Sequence, residues 1–205
     1  GVALWDTQAS DLNTIKKTPA SRDLLTPFTK AVRKEGLKLG IYYSLLDWSN
    51  SDYPYATRNS TRYQIKEDSA RWQRFLDFDN KQLAELNKQF KPDLYWFDGD
   101  WDFSPETWKA KELSTMLRTF NPKVILNSRI QGYGDYATPE QAVPIRRPDS
   151  QWWELCITIN HTCGYAPTDT NYKTANMLLR TFVDCISNGG NLLLDIGPKE
   201  DGTIP

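Results

Sequence analysis

Four short apolar runs, at residues 37–43, 93–97, 123–126 and 191–196, alternate along the chain with amphipathic stretches at 22–35, 67–90, 105–120 and 174–187. Runs that are nearly continuous in branched and aromatic residues suit strands covered on both faces, and an intervening helix is the usual way to return the chain for a parallel neighbour. The pattern predicts an α/β fold built on parallel strands, with a further strand at 153–157. Leu24, Leu25, Phe28 and Val32 recur at helical spacing between a candidate N-cap at Ser21 and a stop at Gly36. The stretch 67–90 repeats this spacing with Trp72, Phe75, Leu76, Leu83, Leu86 and Phe90, of which Trp72 and Phe75 read as core rather than ligand contacts. The stretch 105–120 reads as one helix, and 49–62, rich in Ser, Asn, Asp and Tyr, as the one long irregular insertion.

Both a (β/α)8 barrel and an open doubly wound sheet satisfy such an alternation. The polar residues separate them. No GxGxxG or GxxxxGK[ST] follows any strand, whereas acidic, aromatic and Arg residues sit just past several strand ends, where barrel enzymes build their sites. The expected architecture is an incomplete (β/α)8 barrel, one domain over residues 1–205, lacking its first strands and its C-terminal end. A first residue of Gly1 and a turn-like final GPKEDGTIP read as the limits of a piece of a longer polypeptide.

Charge and composition narrow the partners. With 25 Lys+Arg against 26 Asp+Glu there is no basic excess on which a nucleic acid would bind, and no apolar run approaches the roughly 20 residues of a membrane span. Eight Trp are many for this length, and such rings stack on sugar faces as well as filling cores. Cys156, Cys163 and Cys185 are odd in number and lack CxxC spacing, so they read as buried free thiols. His161 is the single histidine, which leaves a histidine-based metal site or a Ser-His-Asp triad without supporting residues.

The segment KPDLYWFDGDW places Asp98 where an apolar strand runs out into a Gly99 turn. A strand-end carboxylate flanked by Trp96 and Trp101 suits glycoside cleavage. There, one ionised carboxylate attacks the anomeric carbon and a second carboxyl, about 5–5.5 Å away in retaining enzymes, protonates the leaving oxygen. An Asp-Gly pair is also an ordinary turn connector. In VILNSRIQGYGDYATPEQ a strand ends at Asn127 and Arg129, a residue able to bond a sugar or hold a carboxylate, and a polar loop presents Glu140. Glu140 suits a general acid provided burial or a neighbouring charge raises its pKa. After Pro139 it equally suits the first turn of a helix. Glu154, in QWWELCITIN, competes for the acid role, and the residues alone do not rank the two glutamates. Gly189 and Gly190 in SNGGNLLLDIGP suggest close backbone packing, with Asp195 a polar residue of the frame.

Taken in order, ALWDT, the G-x-Y-x-S of LGIYYS, LYWFDGDW, NSRIQGYGDYATPEQ, WWELC, CGY and SNGGNLLLDIGPKEDGTIP resemble glycoside hydrolase family 29, the α-L-fucosidases, over nearly the whole chain. The resemblance implies an incomplete barrel and removal of terminal α-L-fucose from glycans or glycoconjugates by double displacement. It implies no metal or organic cofactor, and a secreted, periplasmic or lysosomal address. On matching positions Asp98 is the nucleophile. The TPEQ match points to Glu140 as acid/base and the WE motif to Glu154 as the alternative, while Tyr42, Trp96 and Arg129 line the fucose pocket. Two departures stand out: members carry a His-His pair and further sugar-binding residues upstream of the segment that begins here at Gly1, and often Trp or Phe where this chain has Cys163. The isolated chain is therefore expected to be weak or inactive. A noncatalytic fucose- or glycan-binding remnant is the alternative, and a related barrel acting on α-galactosides a third reading.

Overall fold

The computed structural model describes residues 1–205, which fold as two compact units, Gly1–Gly134 and Asp135–Pro205. The first unit is α/β, as the alternation predicts. Its sheet contains three parallel strands in the order β1-β4-β5: β1 (Gly40–Ser44), β4 (Leu94–Asp98) and β5 (Ile125–Leu126). The register Tyr42↔Trp96 and Ser44↔Asp98 sets the two longer strands side by side to their last residues. Central β4 has neighbours on both sides, consistent with its almost wholly apolar sequence.

Successive side chains on a strand point to opposite faces. Ile41 and Tyr43 of β1, with Tyr95 and Phe97 of β4, belong to the buried core, where Leu76, Leu83 and Leu86 of helix α3 (Ser69–Phe90) also lie. Tyr42, Trp96 and Asp98 fall on the opposite face. Asp68 caps α3 by accepting from the Arg71 N–H at 2.9 Å, and the helix stops at a left-handed Lys91 before Pro92. Trp72 and Phe75 are core, as read, at 5% and 0% exposure. Each such side chain contributes about 1.5–3 kcal/mol on full burial. Tyr43 reaches α3, its hydroxyl 2.9 Å from both Asp79 and Gln82.

Several boundaries move. Helix α2 runs Leu25–Lys34 rather than from 22, with Ser21 in a left-handed conformation. Asp23 does the capping instead, accepting from both the N–H and the hydroxyl of Thr26 at 2.8 Å. The stretch 105–120 is two helices, α4 (Pro105–Trp108) and α5 (Ala110–Phe120), separated by a left-handed Lys109. The insertion 49–62 contains a short antiparallel pair, β2 (Tyr55–Thr57) and β3 (Ser60–Thr61). A four-residue helix α1 (Thr14–Lys17), capped by Asn13, completes the unit.

In the second unit, β6 (Glu154–Thr158) and β7 (Asn191–Asp195) pair in parallel, and α6 (Ala175–Ser187) connects them. Trp153, Leu155, Ile157 and Cys185 form its core. Gly190 lies against Trp153 so closely that a Cβ there would sit 2.3 Å from the indole ring, which is the close packing the double glycine suggested. None of the cysteines forms a disulfide, but only Cys185 is buried; Cys156 is half-buried and Cys163 exposed, contrary to their reading as buried thiols. No helix is long and apolar enough to cross a membrane.

Candidate active site

Asp98 is the last residue of β4, and the turn after it needs glycine. Gly99 has φ +80, and a Cβ there would come within 2.7 Å of the Leu46 side chain. The Asp98 carbonyl accepts from the Leu45 N–H at 2.8 Å, which ties the strand end to the chain leaving β1.

The Asp98 carboxylate is held at both oxygens. Tyr42 donates its hydroxyl to Oδ2 at 2.8 Å, and Arg129 donates Nη1 to Oδ1 at 2.9 Å. The Asp98 and Arg129 side chains are 22% and 19% exposed, so the pair is shielded but not sealed from water. Trp96 organises both donors. The Tyr42 ring stacks on its indole with centroids 5.7 Å apart and planes 18° from parallel, and the Arg129 guanidinium lies 4.4 Å from the indole centroid. A guanidinium shared between an indole face and a carboxylate has little freedom left, so Oδ1 has a fixed donor. Of the two readings of Arg129, bonding a sugar or holding a carboxylate, this contact is the second.

Beyond the strand, Asp100–Asp102 form a short 3₁₀ turn. Asp100 receives the Gln131 N–H on its carboxylate at 2.7 Å and the Trp108 indole N–H on its carbonyl at 2.8 Å. Trp101, in the middle of that turn, is 56% exposed. Of the two tryptophans flanking Asp98, Trp96 is thus built into the carboxylate's support while Trp101 keeps a free face.

The second unit decides where the two glutamates stand along their strands. Residues 137–141 form no helix after Pro139. They run parallel to β6, with bridges Ala137↔Trp153 and Glu140↔Cys156 and the Gln141 N–H donating to the Cys156 carbonyl at 2.9 Å. Glu140 is exposed at the carboxyl end of this paired stretch, where Gln141 turns left-handed at φ 63. Glu154 opens β6 and pairs with Asn191 at the start of β7, so it lies at the amino end of the same ladder. It is half-buried, with the Tyr136 hydroxyl 3.3 Å from Oε1. Two residues of strand, roughly 7 Å, separate the two positions along the strand direction. Open α/β sheets and barrels place their chemistry at carboxyl ends.

Cys163 donates to Asp195, the last residue of β7. Burial raises the Asp195 pKa against the lowering effect of that thiol. Lys173 extends its ammonium to the Thr158 and Asn160 carbonyls at 2.7 and 2.9 Å, anchoring the carboxyl end of β6. His161 is exposed, and its backbone N–H donates to Asp169 at 2.9 Å.

Two features escaped sequence reading: the strand at 137–141 and the amide of Asn127. Asn127 is fully buried, accepts from the Phe97 N–H and donates to the Phe97 carbonyl, both at 2.8 Å. Its position at the end of an apolar run was visible; its long-range partner was not.

The family model described as Alpha-L-fucosidase matches residues 1–205. An α-L-fucosidase of Dictyostelium discoideum is 32% identical over 219 residues, covering 100% of this chain and 45% of that protein. The tissue α-L-fucosidase of Rattus norvegicus is 29% identical with the same coverage, 100% and 45%. Among solved structures, α-L-fucosidase isoenzyme 1 from Paenibacillus thiaminolyticus superposes with a TM-score of 0.88 at 35% identity, over 99% of this chain and 53% of that one. An α-L-fucosidase from Lactobacillus casei in complex with α-L-fucose product gives 0.82 at 27% identity, over 100% and 67%. The chain spans about half the length of the curated relatives it matches.

Proposed function

Because the chain belongs to the α-L-fucosidase family, we propose that the polypeptide carrying it is a retaining exo-glycosidase that removes terminal α-L-fucose from glycans or glycoconjugates. The supporting observation is the Asp98 carboxylate at the carboxyl end of β4, its two oxygens oriented by Tyr42 and Arg129 at 2.8 and 2.9 Å. Charge-assisted and phenolic hydrogen bonds fix the direction of the lone pairs that must meet the anomeric carbon, so orientation is in place before the sugar arrives.

In this reading Asp98 attacks the anomeric carbon while Glu140, as acid, protonates the departing glycosidic oxygen. The C–O bond to the aglycone breaks and an ester to Asp98 forms. Glu140, now a base, takes a proton from water, which displaces Asp98 and releases fucose with its configuration retained. Glu140 is preferred to Glu154 because it stands at the carboxyl end of its ladder, and Glu154 at the amino end. Tyr42, Trp96 and Arg129 line the sugar pocket, the exposed indole of Trp101 offers a stacking face, and Cys163 stands where a bulkier wall is usual. The fold proposed for the polypeptide is a (β/α)8 barrel of which this chain is an incomplete part, and an address outside the cytosol, whether secreted, periplasmic or lysosomal, rests on the family alone. The 205-residue chain by itself turns over weakly or not at all, in keeping with relatives about twice its length.

Proton NMR of an aryl α-L-fucoside during hydrolysis by the full natural polypeptide tests the mechanism. α-Fucose as the first product supports double displacement, and β-fucose appearing first contradicts it. Competition by galactose but not fucose would shift the substrate to a galactoside.

A further inference from the structure

The strand that delivers Asp98 keeps β1 beside it to its last residue but loses its other neighbour just before that. β5 pairs with β4 only through Leu94↔Ile125 and Tyr95↔Leu126, and the chain then turns away at Ser128. On the β5 side Phe97, the residue before Asp98, would be left with a buried N–H and carbonyl and no strand to meet them. Asn127 supplies both partners from one side chain, its Oδ1 accepting from the Phe97 N–H and its Nδ2 donating to the Phe97 carbonyl, each at 2.8 Å. An amide can mimic a peptide in this way because it carries a donor and an acceptor at the same spacing. Asn127 is itself 0% exposed. Its backbone is wedged by Gly134, where a Cβ would come within 2.0 Å of the Asn127 carbonyl oxygen.

We infer that Asn127 is a positioning residue for the reaction: its side-chain amide extends the β4 ladder by one residue, fixing the Asp98 backbone while releasing the main chain so that Arg129 reaches the same carboxylate. This rests on the reading of Asp98 as nucleophile. One residue thus sets both ends of the Arg129–Asp98 contact, the carboxylate through Phe97 and the guanidinium through the turn after residue 127.

The test is time-dependent inactivation of the full natural polypeptide by 2-fluoro-fucosyl fluoride, with competitive inhibition by fucose measured alongside. Asn127→Asp keeps an acceptor for the Phe97 N–H but sets an oxygen against the Phe97 carbonyl; Asn127→Ser reaches neither group. Both variants should lower the first-order inactivation constant about 100-fold while the fucose inhibition constant moves less than about threefold, because misplacing a reacting group by about 1 Å costs that much in rate without removing the pocket. An unchanged inactivation constant, or equal losses in rate and fucose binding, would overturn the inference. So would failure of both variants to melt cooperatively, since Asn127 would then be architectural. Labelling of a residue other than Asp98 in the unsubstituted protein would remove the nucleophile reading itself, whereas labelling at Asp98 with no effect of Asn127 would remove this inference alone.

Discussion

Replacing Tyr42 by Phe deletes one atom from the Asp98 support and leaves the rest in place. The phenol donates to Oδ2 at 2.8 Å, and the ring's stack on Trp96 at 5.7 Å does not need the hydroxyl. A hydrogen bond to a charged group is worth about 1.5–3 kcal/mol where water is excluded. Tyr42 is 60% exposed, so water can take the vacated position and the loss is discounted to about 1–1.5 kcal/mol. At 1.36 kcal/mol per decade this corresponds to a fall of about 5- to 13-fold in kcat. If, as proposed, the bond orients the nucleophile more than it holds the sugar, KM should stay within about twofold. The same exposure means that little packing is lost, and the melting temperature should move by less than about 2 °C. Steady-state hydrolysis of an aryl α-L-fucoside by the full natural polypeptide, with a thermal melt of each variant, reads all three. A Tyr42→Phe variant with unaltered kcat would show that Oδ2 needs no fixed donor. A change confined to KM would make Tyr42 a sugar contact and refute its role in orienting Asp98.

Glu140→Gln should slow hydrolysis of natural glycans by about 10²–10⁴ while sparing the first step for an aryl fucoside with a good leaving group, whereas Glu154→Gln should leave both near normal; the reverse ranking in a kinetic comparison would transfer the acid role to Glu154. Gly190→Ala places a Cβ 2.3 Å from the ring of Trp153, which is 1% exposed, and should cost at least about 1–3 kcal/mol through overpacking; an unshifted denaturation midpoint would mean that the indole moves aside freely. Asp79 is held well above the carboxylate range, first by burial and further by the Asp47 charge, against the lowering effect of Tyr43. A folded pKa above the unfolded value of about 4 means that its contribution to stability is complete below that value and is lost as pH rises through the folded one. Asp79→Asn, which does not titrate, should therefore gain stability relative to the parent as pH is raised from 4 to 8 in urea titrations, and a relative loss would contradict the assignment.

The parts of the site that were legible are those written in contiguous residues. An apolar run ending in Asp-Gly announced a strand-end carboxylate because the strand period, the turn and the glycine requirement are all local. The helices were likewise visible in spacing, and on α3 Trp72, Phe75, Leu76, Leu83, Leu86 and Phe90 are indeed buried, whereas α2 buries none of its own residues. Capping was less so: Ser21 and Asp23 are both good caps by type, and only the structure shows that Asp23 reaches Thr26. Lys109 interrupts a helix in a conformation that nothing in its chemistry advertises. Pro139-Glu140 carries a sound helix-start signal, yet pairing with β6 claims those peptide groups for a ladder instead. Long-range partners were out of reach in principle. That Arg129 would bond either a sugar or a carboxylate was readable from its type, and that Asn127 would bond Phe97 across 30 positions was not.

The central claim is that Asp98 attacks the sugar, and covalent trapping addresses it most directly. The full natural polypeptide would be treated with 2-fluoro-fucosyl fluoride, digested, and mapped by mass spectrometry. The account predicts a single fucosyl adduct on the peptide containing Asp98, lost in the Asp98→Asn variant. An adduct on another carboxylate, or none from a folded protein that still binds fucose, would contradict it, the latter outcome leaving a sugar-binding protein without catalysis.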